Sequence, residues 1–174
     1  LVLLCGDIVD DGPEMPEERA LFTVEALARQ WPTYYVSGNH EYRTGRADEI
    51  KQLLRQRGAV VLAGDCVQVT AAGQRLQLCG VDDPAVGEYA WQSQLEQVSS
   101  ALEEGIFSVL LSHRPERVEN YQGRGFDLVL TGHAHGGQWR LPGLDVGLIA
   151  PNQGLLPKYA SGVHTLGTTR MVVS

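Results

Sequence analysis

Apolar positions of the chain fall into short continuous runs that alternate with amphipathic stretches. "LVLLC" at residues 1–5, "TYYV" at 33–36, "FSVLLS" at 107–112 and "DLVLTG" at 127–132 are the apolar runs. Continuous rather than alternating runs are expected of strands that are covered on both faces. Between them, apolar residues at helical spacing predict helices over about 16–30, 47–57 and 89–104. The pattern therefore predicts an α/β domain with a mixed sheet system and helices outside it.

The hydrophobic period changes over residues 60–80. "VVL", "CVQVT" and "LQLCG" are separated there by Gly64-Asp65 and by Gly73. Short apolar runs between turn residues predict a meander of three strands. No internal repeat or linker interrupts the chain, so residues 1–174 are expected to form a single domain.

Composition narrows the classes of protein to consider. With 43% apolar and 20% charged residues the chain has the profile of a globular domain, and its net charge of −7 argues against a nucleic-acid-binding surface. Three cysteines without C-x-x-C spacing are predicted to be small core residues, with no disulfide framework. The chain starts at Leu1 inside an apolar run, so the sequence does not decide whether an anchor or targeting segment precedes it. The location of the protein, cytoplasmic or membrane-associated, is likewise undecided.

Polar residues follow four of the predicted strands at the point where each strand ends. Singly, each of these sequences is typical of a turn. Because the carboxyl ends of neighbouring parallel strands meet at one edge of a sheet, we expect the polar side chains to converge there. Oxygen and imidazole nitrogen ligands without thiolate suit Mn, Fe or Zn. The sequence therefore predicts a metal site built from Asp7, Asn39, His113, His133 and His135.

The same residues, in this order, resemble a known family. G-D-x-x-D-x-G, G-N-H-E, a histidine after a strand and G-H-x-H form the signature of the calcineurin-like metallophosphoesterases, and "GHAHGGQ" is similar to a bacterial branch of them. The resemblance extends from Gly6 to "LGTT" near the end of the chain. It implies a fold of two packed mixed β-sheets flanked by helices, and a binuclear site for two divalent metal ions (Mn, Fe or Zn) in the complete protein.

The resemblance also implies a role for each matching residue. Asp7 matches the aspartate that bridges the two metals, and His135 matches a ligand of the first metal. The remaining ligands of the second metal are matched by Asn39, His113 and His133. His40 resembles the histidine that donates a proton to the phosphoryl oxygen or the leaving group, and Asp10 the carboxylate that orients this histidine. Arg43 and Arg140 lie near the motifs and are candidates for substrate phosphate contacts, with ordinary solvated arginine as the alternative.

One part of the family pattern is absent from this chain. The family places a D-x-H motif on a strand before the G-D strand, and no D-x-H precedes Gly6. The resemblance thus supplies the first metal with Asp7 and His135 only, and one metal is expected in this chain. We interpret the chain as N-terminally incomplete, without the first strand of the fold.

These observations predict an enzyme, a metal-dependent phosphoesterase in which metal-bound hydroxide attacks a phosphate ester, weakly favoured to be a phosphodiester. Its substrate would be a small-molecule or lipid phosphoester, with membrane association through an upstream segment. The alternative is a non-catalytic module on the same fold that binds one metal or none and serves interaction. A metallo-β-lactamase-like hydrolase would pair H-x-H with a following D-H, which "HAHGGQ" lacks.

Overall fold

The computed structural model describes residues 1–10, 12, 17–139 and 147–174. Within them the helices are α1 (Glu17–Ala28), α2 (Asn39–Arg43), α3 (Ala47–Gln56), α4 (Glu88–Ser100) and α5 (Val118–Tyr121). The strands are β1 (Val2–Cys5), β2 (Thr33–Val36), β3 (Val60–Val61), β4 (Asp65–Ala71), β5 (Gln74–Gly80), β6 (Phe107–Leu111), β7 (Leu128–Thr131), β8 (Ile149–Ala150), β9 (Gly154–Leu155), β10 (Gly162–Leu166) and β11 (Thr169–Val173). Short 3₁₀ turns at Pro84–Val86 and Pro115–Arg117 follow β5 and β6.

The strands form two main sheets and a small hairpin. The first sheet has the order β1-β2-β3, and its strands are all parallel. The second has the order β10-β11-β7-β6-β5-β4, with antiparallel pairs only at its two ends. In the described part of the chain, the hairpin of β8 and β9 is a separate two-stranded sheet that does not pair with a strand of either main sheet. Since β1, β2, β6 and β7 all have parallel neighbours, each is followed by a chain crossing rather than a tight turn, and its carboxyl end is free to carry functional residues.

Alternation of side chains along the strands assigns each strand face to a layer. In β6, Val109 and Leu111 pack between the two sheets, whereas Leu110 packs against the layer that contains Trp91 and Leu95 of α4. In the first sheet, Tyr35 of β2 packs with residues of α1 and α3. The result is four layers, helix, sheet, sheet and helix, which confirms the expected fold of two packed sheets flanked by helices.

The predicted meander over residues 60–80 is wrong in one strand. Val60 and Val61 form β3, which pairs in parallel with β2 in the first sheet. Only β4 and β5 form the expected antiparallel pair, in the second sheet. Gly64 lies in the segment that connects β3 of the first sheet to β4 of the second. Its left-handed backbone, with φ 92°, permits the chain to change direction there. Gly73 thus separates two neighbouring strands as predicted, whereas Gly64 separates strands that belong to different sheets.

The prediction for the cysteines is also wrong in part. Cys66 and Cys79 lie directly opposite each other on β4 and β5, with Cα atoms 4.0 Å apart, and form a disulfide. The spacing of cysteines along the chain carries no information on strand register, and the register is what brings these two together. Cys5 stays a free thiol, and burial raises its pKa to about 12.

Within the described part of the chain, no helix has both the length and the apolar character that a bilayer crossing requires.

Candidate metal centre

Four polar side chains converge where the carboxyl ends of the two sheets meet. Asp7 follows β1 and Asn39 follows β2 in the first sheet, while His113 follows β6 and His133 follows β7 in the second. Ligand atoms of Asp7, His113 and His133 all lie within 4.8 Å of one another. We refer to Asp7, Asn39, His113 and His133 as the ligand cluster.

His113 lies at the middle of the ligand cluster. Its Nε2 is 3.0 Å from Asp7 Oδ2, 3.3 Å from Asn39 Oδ1 and 3.1 Å from His133 Nδ1. Its other ring nitrogen, Nδ1, is 2.6 Å from the carbonyl oxygen of Cys5. Because a carbonyl can only accept, Nδ1 carries the proton, and in the neutral ring Nε2 presents a lone pair to the cluster.

The ligand cluster fits a divalent cation. Asp7 Oδ2 is buried and, among the described residues, has no partner with hydrogen-bond geometry. With Asn39 Oδ1 and Nε2 of neutral His113 it forms a group of electron-pair donors that face one another. Such an arrangement is unfavourable unless a proton or a cation lies between them. The set of carboxylate, amide oxygen and imidazole is the kind that Mn, Fe or Zn accepts.

The pKa shifts show where a proton resides when no cation is bound. Burial would raise the pKa of Asp7, but contact with His113 and the backbone N–H of His40 lower it to about 2. Burial would lower the pKa of His113, but the contact with Asp7 outweighs it and raises this pKa above its ordinary value. Burial, and then the charges of Arg114 and His113, lower the pKa of His133 to about 4. His133 is therefore neutral at physiological pH, and a proton taken up by the cluster in the absence of a cation is favoured on His113.

Two glycines let the first pair of strand ends approach. A Cβ on Gly6 would lie 2.5 Å from the backbone nitrogen of Gly38, and one on Gly38 would lie 2.2 Å from Asp7 Oδ1. The G-D and G-N pairs therefore have a steric cause. Asp7 and His133 also have φ values of 52° and 64°, a left-handed conformation that costs a non-glycine residue free energy and recurs at functional sites.

Glu41 holds the loop after β1 and was missed as a functional residue in the sequence. Its carboxylate is fully buried and accepts hydrogen bonds from the backbone N–H groups of Asp7 (3.0 Å), Ile8 (2.9 Å), Val9 (3.2 Å) and Gly38 (2.6 Å). A glutamate three residues after Gly38, at the start of a helix, is a local capping signal that could have been read. Its bonds to residues more than thirty positions earlier have no local signal.

His40 and Asp10 lie beside the ligand cluster. His40 is on α2, a short helix where the sequence predicted a turn, and its Nε2 is 3.9 Å from Asp7 Oδ2. Its Nδ1 is 3.3 Å from Oδ1 of Asp10, which is exposed. The structure therefore brings His40 and Asp10 together, next to Asp7 of the ligand cluster.

Of the other predicted site residues, His135 and Arg43 are not in the ligand cluster. His135 is exposed, with φ 53°, and does not belong to the group of possible metal ligands found among the described residues. Arg43 is exposed on α2. Arg140 lies outside the described residues.

Two further residues reach the ligand cluster and a third holds one of them in place, and all three were missed in the sequence. Arg114 Nη1 is 3.0 Å from His133 Nε2, and Asn152 Oδ1 is 3.2 Å from the same nitrogen. Asp83, fully buried after β5, binds the Arg114 guanidinium. Asp83 follows a strand as the predicted ligands do, so the strand-end pattern could have found it. Arg114 lies at the same distance after β6 as Asp83 does after β5 and could have been found in the same way, whereas Asn152 has no comparable signal in the sequence.

Comparison with known proteins agrees with this geometry. The profile of the family described as calcineurin-like phosphoesterase matches residues 1–137. Among curated relatives, a metallophosphoesterase of Helicobacter pylori is 31% identical over 79% of this chain and 36% of its own length, and the phosphodiesterase YaeI of Escherichia coli is 29% identical over 82% and 51%. The chain thus spans between about a third and three-fifths of the length of the curated relatives it matches.

A solved structure shows the same fold. The Haemophilus influenzae NAD nucleotidase aligns with a TM-score of 0.60 at 21% identity, over all of this chain and 35% of that protein. Together with the profile match, the ordered motifs and the ligand cluster, this confirms the resemblance seen in the sequence. The chain belongs to the calcineurin-like phosphoesterase family.

Proposed function

We propose that the protein hydrolyses a phosphate ester, with a phosphodiester as the weakly favoured substrate. The observation that supports this most strongly is the ligand cluster, in which lone pairs of Asp7, Asn39 and His113 face one another with no proton donor of hydrogen-bond geometry to Asp7 Oδ2 among the described residues. Divalent cations, when bound by such residues, neutralise charge on a phosphoryl group and lower the pKa of an attacking water.

In this proposal Asp7, Asn39, His113 and His133 hold the cation. The backbone fixes two of them: the Cys5 carbonyl sets the protonated nitrogen of His113, and the N–H of His40 donates to Asp7 Oδ1 at 2.9 Å. The cation site is therefore pre-organised by β1 and by the start of α2.

His40 is the proposed proton donor to the leaving oxygen. The contact of its Nδ1 with Asp10 Oδ1 directs Nδ1 outward, so that Nε2 faces the ligand cluster. Asp10 acts on the reaction only through His40 and is a positioning residue.

The proposal is tested with protein reconstituted with Mn²⁺, by mass spectrometry of bound metal and by turnover of p-nitrophenyl phosphate and bis-p-nitrophenyl phosphate. His40→Ala should lower turnover by about 10²-fold or more while bound metal is unchanged. The loss should be larger for phenyl phosphate than for p-nitrophenyl phosphate, because phenolate is the poorer leaving group and depends more on a proton donor. Asp7→Asn should lose both metal and turnover.

His164→Ala is the matched control, since this histidine lies on β10 and contacts Tyr159 and the carbonyl of Ser161 instead. Equal metal loss in the His40 and Asp7 variants would refute the role given to His40.

A second candidate function is a non-catalytic module that binds a single metal. It is favoured by one observation, that the described residues form one group of metal ligands and His135 is not in it. Protein that binds Mn²⁺ and cleaves neither ester would support this candidate and exclude the first.

A further inference from the structure

We propose that Arg114, held by Asp83, is a substrate-contacting residue that binds a phosphoryl oxygen beside His133. This inference rests on the proposed function and extends it, because it assigns an anion contact that neither the sequence motifs nor the ligand cluster supplies. Arg114 is the residue after His113, in the segment that follows β6, and its Nη1 is 3.0 Å from His133 Nε2. A guanidinium therefore lies at the edge of the ligand cluster.

The guanidinium is oriented before any ligand binds. Asp83 accepts two hydrogen bonds from it, from Nε at 2.5 Å and from Nη2 at 3.1 Å. Asp83 itself is fixed, because it is fully buried, its Oδ1 accepts from the N–H of Ala85 at 2.8 Å, and its own N–H donates to Ser37 Oγ at 3.1 Å. Two parallel bonds to one carboxylate leave Nη1 as the nitrogen directed at the ligand cluster, and a side chain already held in place loses little entropy when it binds.

The placement of this charge is unfavourable for a metal site without an anion. Nη1 of Arg114 lies 3.0 Å from His133 Nε2, so its positive charge opposes a divalent cation that is bound to the same ring. Among the described residues, Glu116 Oε1 lies 3.6 Å from Nη1. A phosphate group between the cation and Arg114 would convert this repulsion into two attractions, which is how arginine acts at sites of phosphoryl transfer.

Arg114 could instead support His133 mechanically, and the two roles have different consequences. A supporting residue should lose metal affinity when it is replaced. An anion-binding residue should lose phosphate affinity and keep or increase metal affinity, because a repulsive charge has been removed. Measurement of both affinities on the same variants separates the two.

The test uses isothermal titration calorimetry, first with Mn²⁺ and then with inorganic phosphate added to the Mn²⁺-loaded protein. Arg114→Gln should weaken phosphate binding by about 10- to 100-fold, the loss expected for a charge-assisted hydrogen bond, without weakening Mn²⁺ binding. Arg117→Gln is the matched control on the same turn, since Arg117 pairs with Glu88 at the surface and should leave both affinities unchanged.

Arg114→Gln leaves Asp83 buried without its cation and could unfold the chain. The double variant Asp83→Asn with Arg114→Gln removes that charge and should show the same loss of phosphate affinity in a folded protein, checked by circular dichroism. The proposal would be overturned if either folded variant bound phosphate within about twofold of the unmodified protein. It would also be overturned if the variants lost Mn²⁺ affinity in parallel, or if the unmodified protein did not bind phosphate. Arg114-dependent phosphate binding without ester turnover would retain this inference and refute the proposed function.

Discussion

Glu41 is the residue on which the loop after β1 depends. Four backbone N–H groups donate to one buried carboxylate, and they come from two segments that are distant in sequence, residues 7–9 and Gly38. Asp7 takes its left-handed conformation within this loop, so the position of a cluster ligand follows from the position of Glu41. Four backbone donors thus stabilise one buried carboxylate.

We predict that Glu41→Gln destabilises the protein by about 2 to 3 kcal/mol, because an amide cannot accept at both ends and turns its NH₂ toward backbone donors. The measurement is the free energy of unfolding from urea denaturation. Glu49→Gln, which alters an exposed pair with Arg46, is the control and should change the free energy by less than about 0.5 kcal/mol. A loss for Glu41→Gln as small as that of the control would contradict the anchoring role.

At the scale of elements, the end of β5 connects strand ends of both sheets. Asp82 accepts from Ser37 Oγ at 2.7 Å, and Asp83 binds Arg114 after β6. Ser37 comes directly after β2 and before Gly38, so this pair of aspartates fixes the chain on either side of the ligand cluster. Lys51 of α3 completes the arrangement, with Nζ 2.7 Å from Asp82 Oδ1 and 3.1 Å from the Tyr42 hydroxyl.

We predict that Lys51→Met destabilises the protein by about 3 kcal/mol, since both members of the pair are buried and Asp82 would keep its charge without the cation. Lys158→Met is the control, because Lys158 is exposed. The measurement is again the free energy of unfolding in urea.

The pH dependence of this difference has a defined sign. Burial lowers the pKa of Lys51, but the hydrogen bond and the charge of Asp82 raise it by more than burial lowers it. The pKa of Lys51 in the folded protein is therefore above its ordinary value of 10.5. A raised folded-state pKa contributes stability that is complete below pH 10.5 and is lost as the pH rises through the folded-state value. The stability difference between the unmodified protein and Lys51→Met should therefore be constant from about pH 7 to 9 and shrink above pH 10.5. A difference that grows at alkaline pH would show that the pair does not act in this way.

At the scale of the whole molecule, the ligand cluster joins the two sheets. Asp7 and Asn39 belong to the first sheet and His113 and His133 to the second, and between the sheets lies an apolar layer that includes Val36, Leu78 and Leu111. A cation bound by all four residues would link the two layers at the edge of this interface, and it would bind the folded chain much better than the unfolded one.

We predict that Mn²⁺ at about 100 times its dissociation constant adds about 2.7 kcal/mol of stability and raises the melting temperature by about 5 to 10 °C. Differential scanning calorimetry measures this shift without reference to catalysis. Asp7→Asn should abolish the shift and His164→Ala should keep it. An unmodified protein that melts at the same temperature with and without saturating Mn²⁺ would exclude the ligand cluster as a metal site.

What the sequence determined by itself is the chemistry at the strand ends. A buried strand is a local pattern, and the residue that follows it is covalently tied to the strand's end. Asp7, Asn39, His113 and His133 could therefore be assigned to the carboxyl ends of parallel strands before any contact was known, and the α/β class could be predicted from the same pattern. The pairing of His40 with Asp10 was implied only by the family resemblance. The motif order was sufficient to predict the family for the same reason, because each motif is short and contiguous.

Tertiary structure decided everything that depends on pairing between distant segments. The assignment of β3 to the first sheet and the register that joins Cys66 to Cys79 both depend on which strand lies alongside. Packing between distant segments also determines the hydrogen bonds of Glu41 to residues 7–9, the ion pair of Asp83 with Arg114 and the contact of Asn152 with His133. A local pattern specifies which face of an element is buried, but the partner that covers it is chosen by the packing of the whole chain.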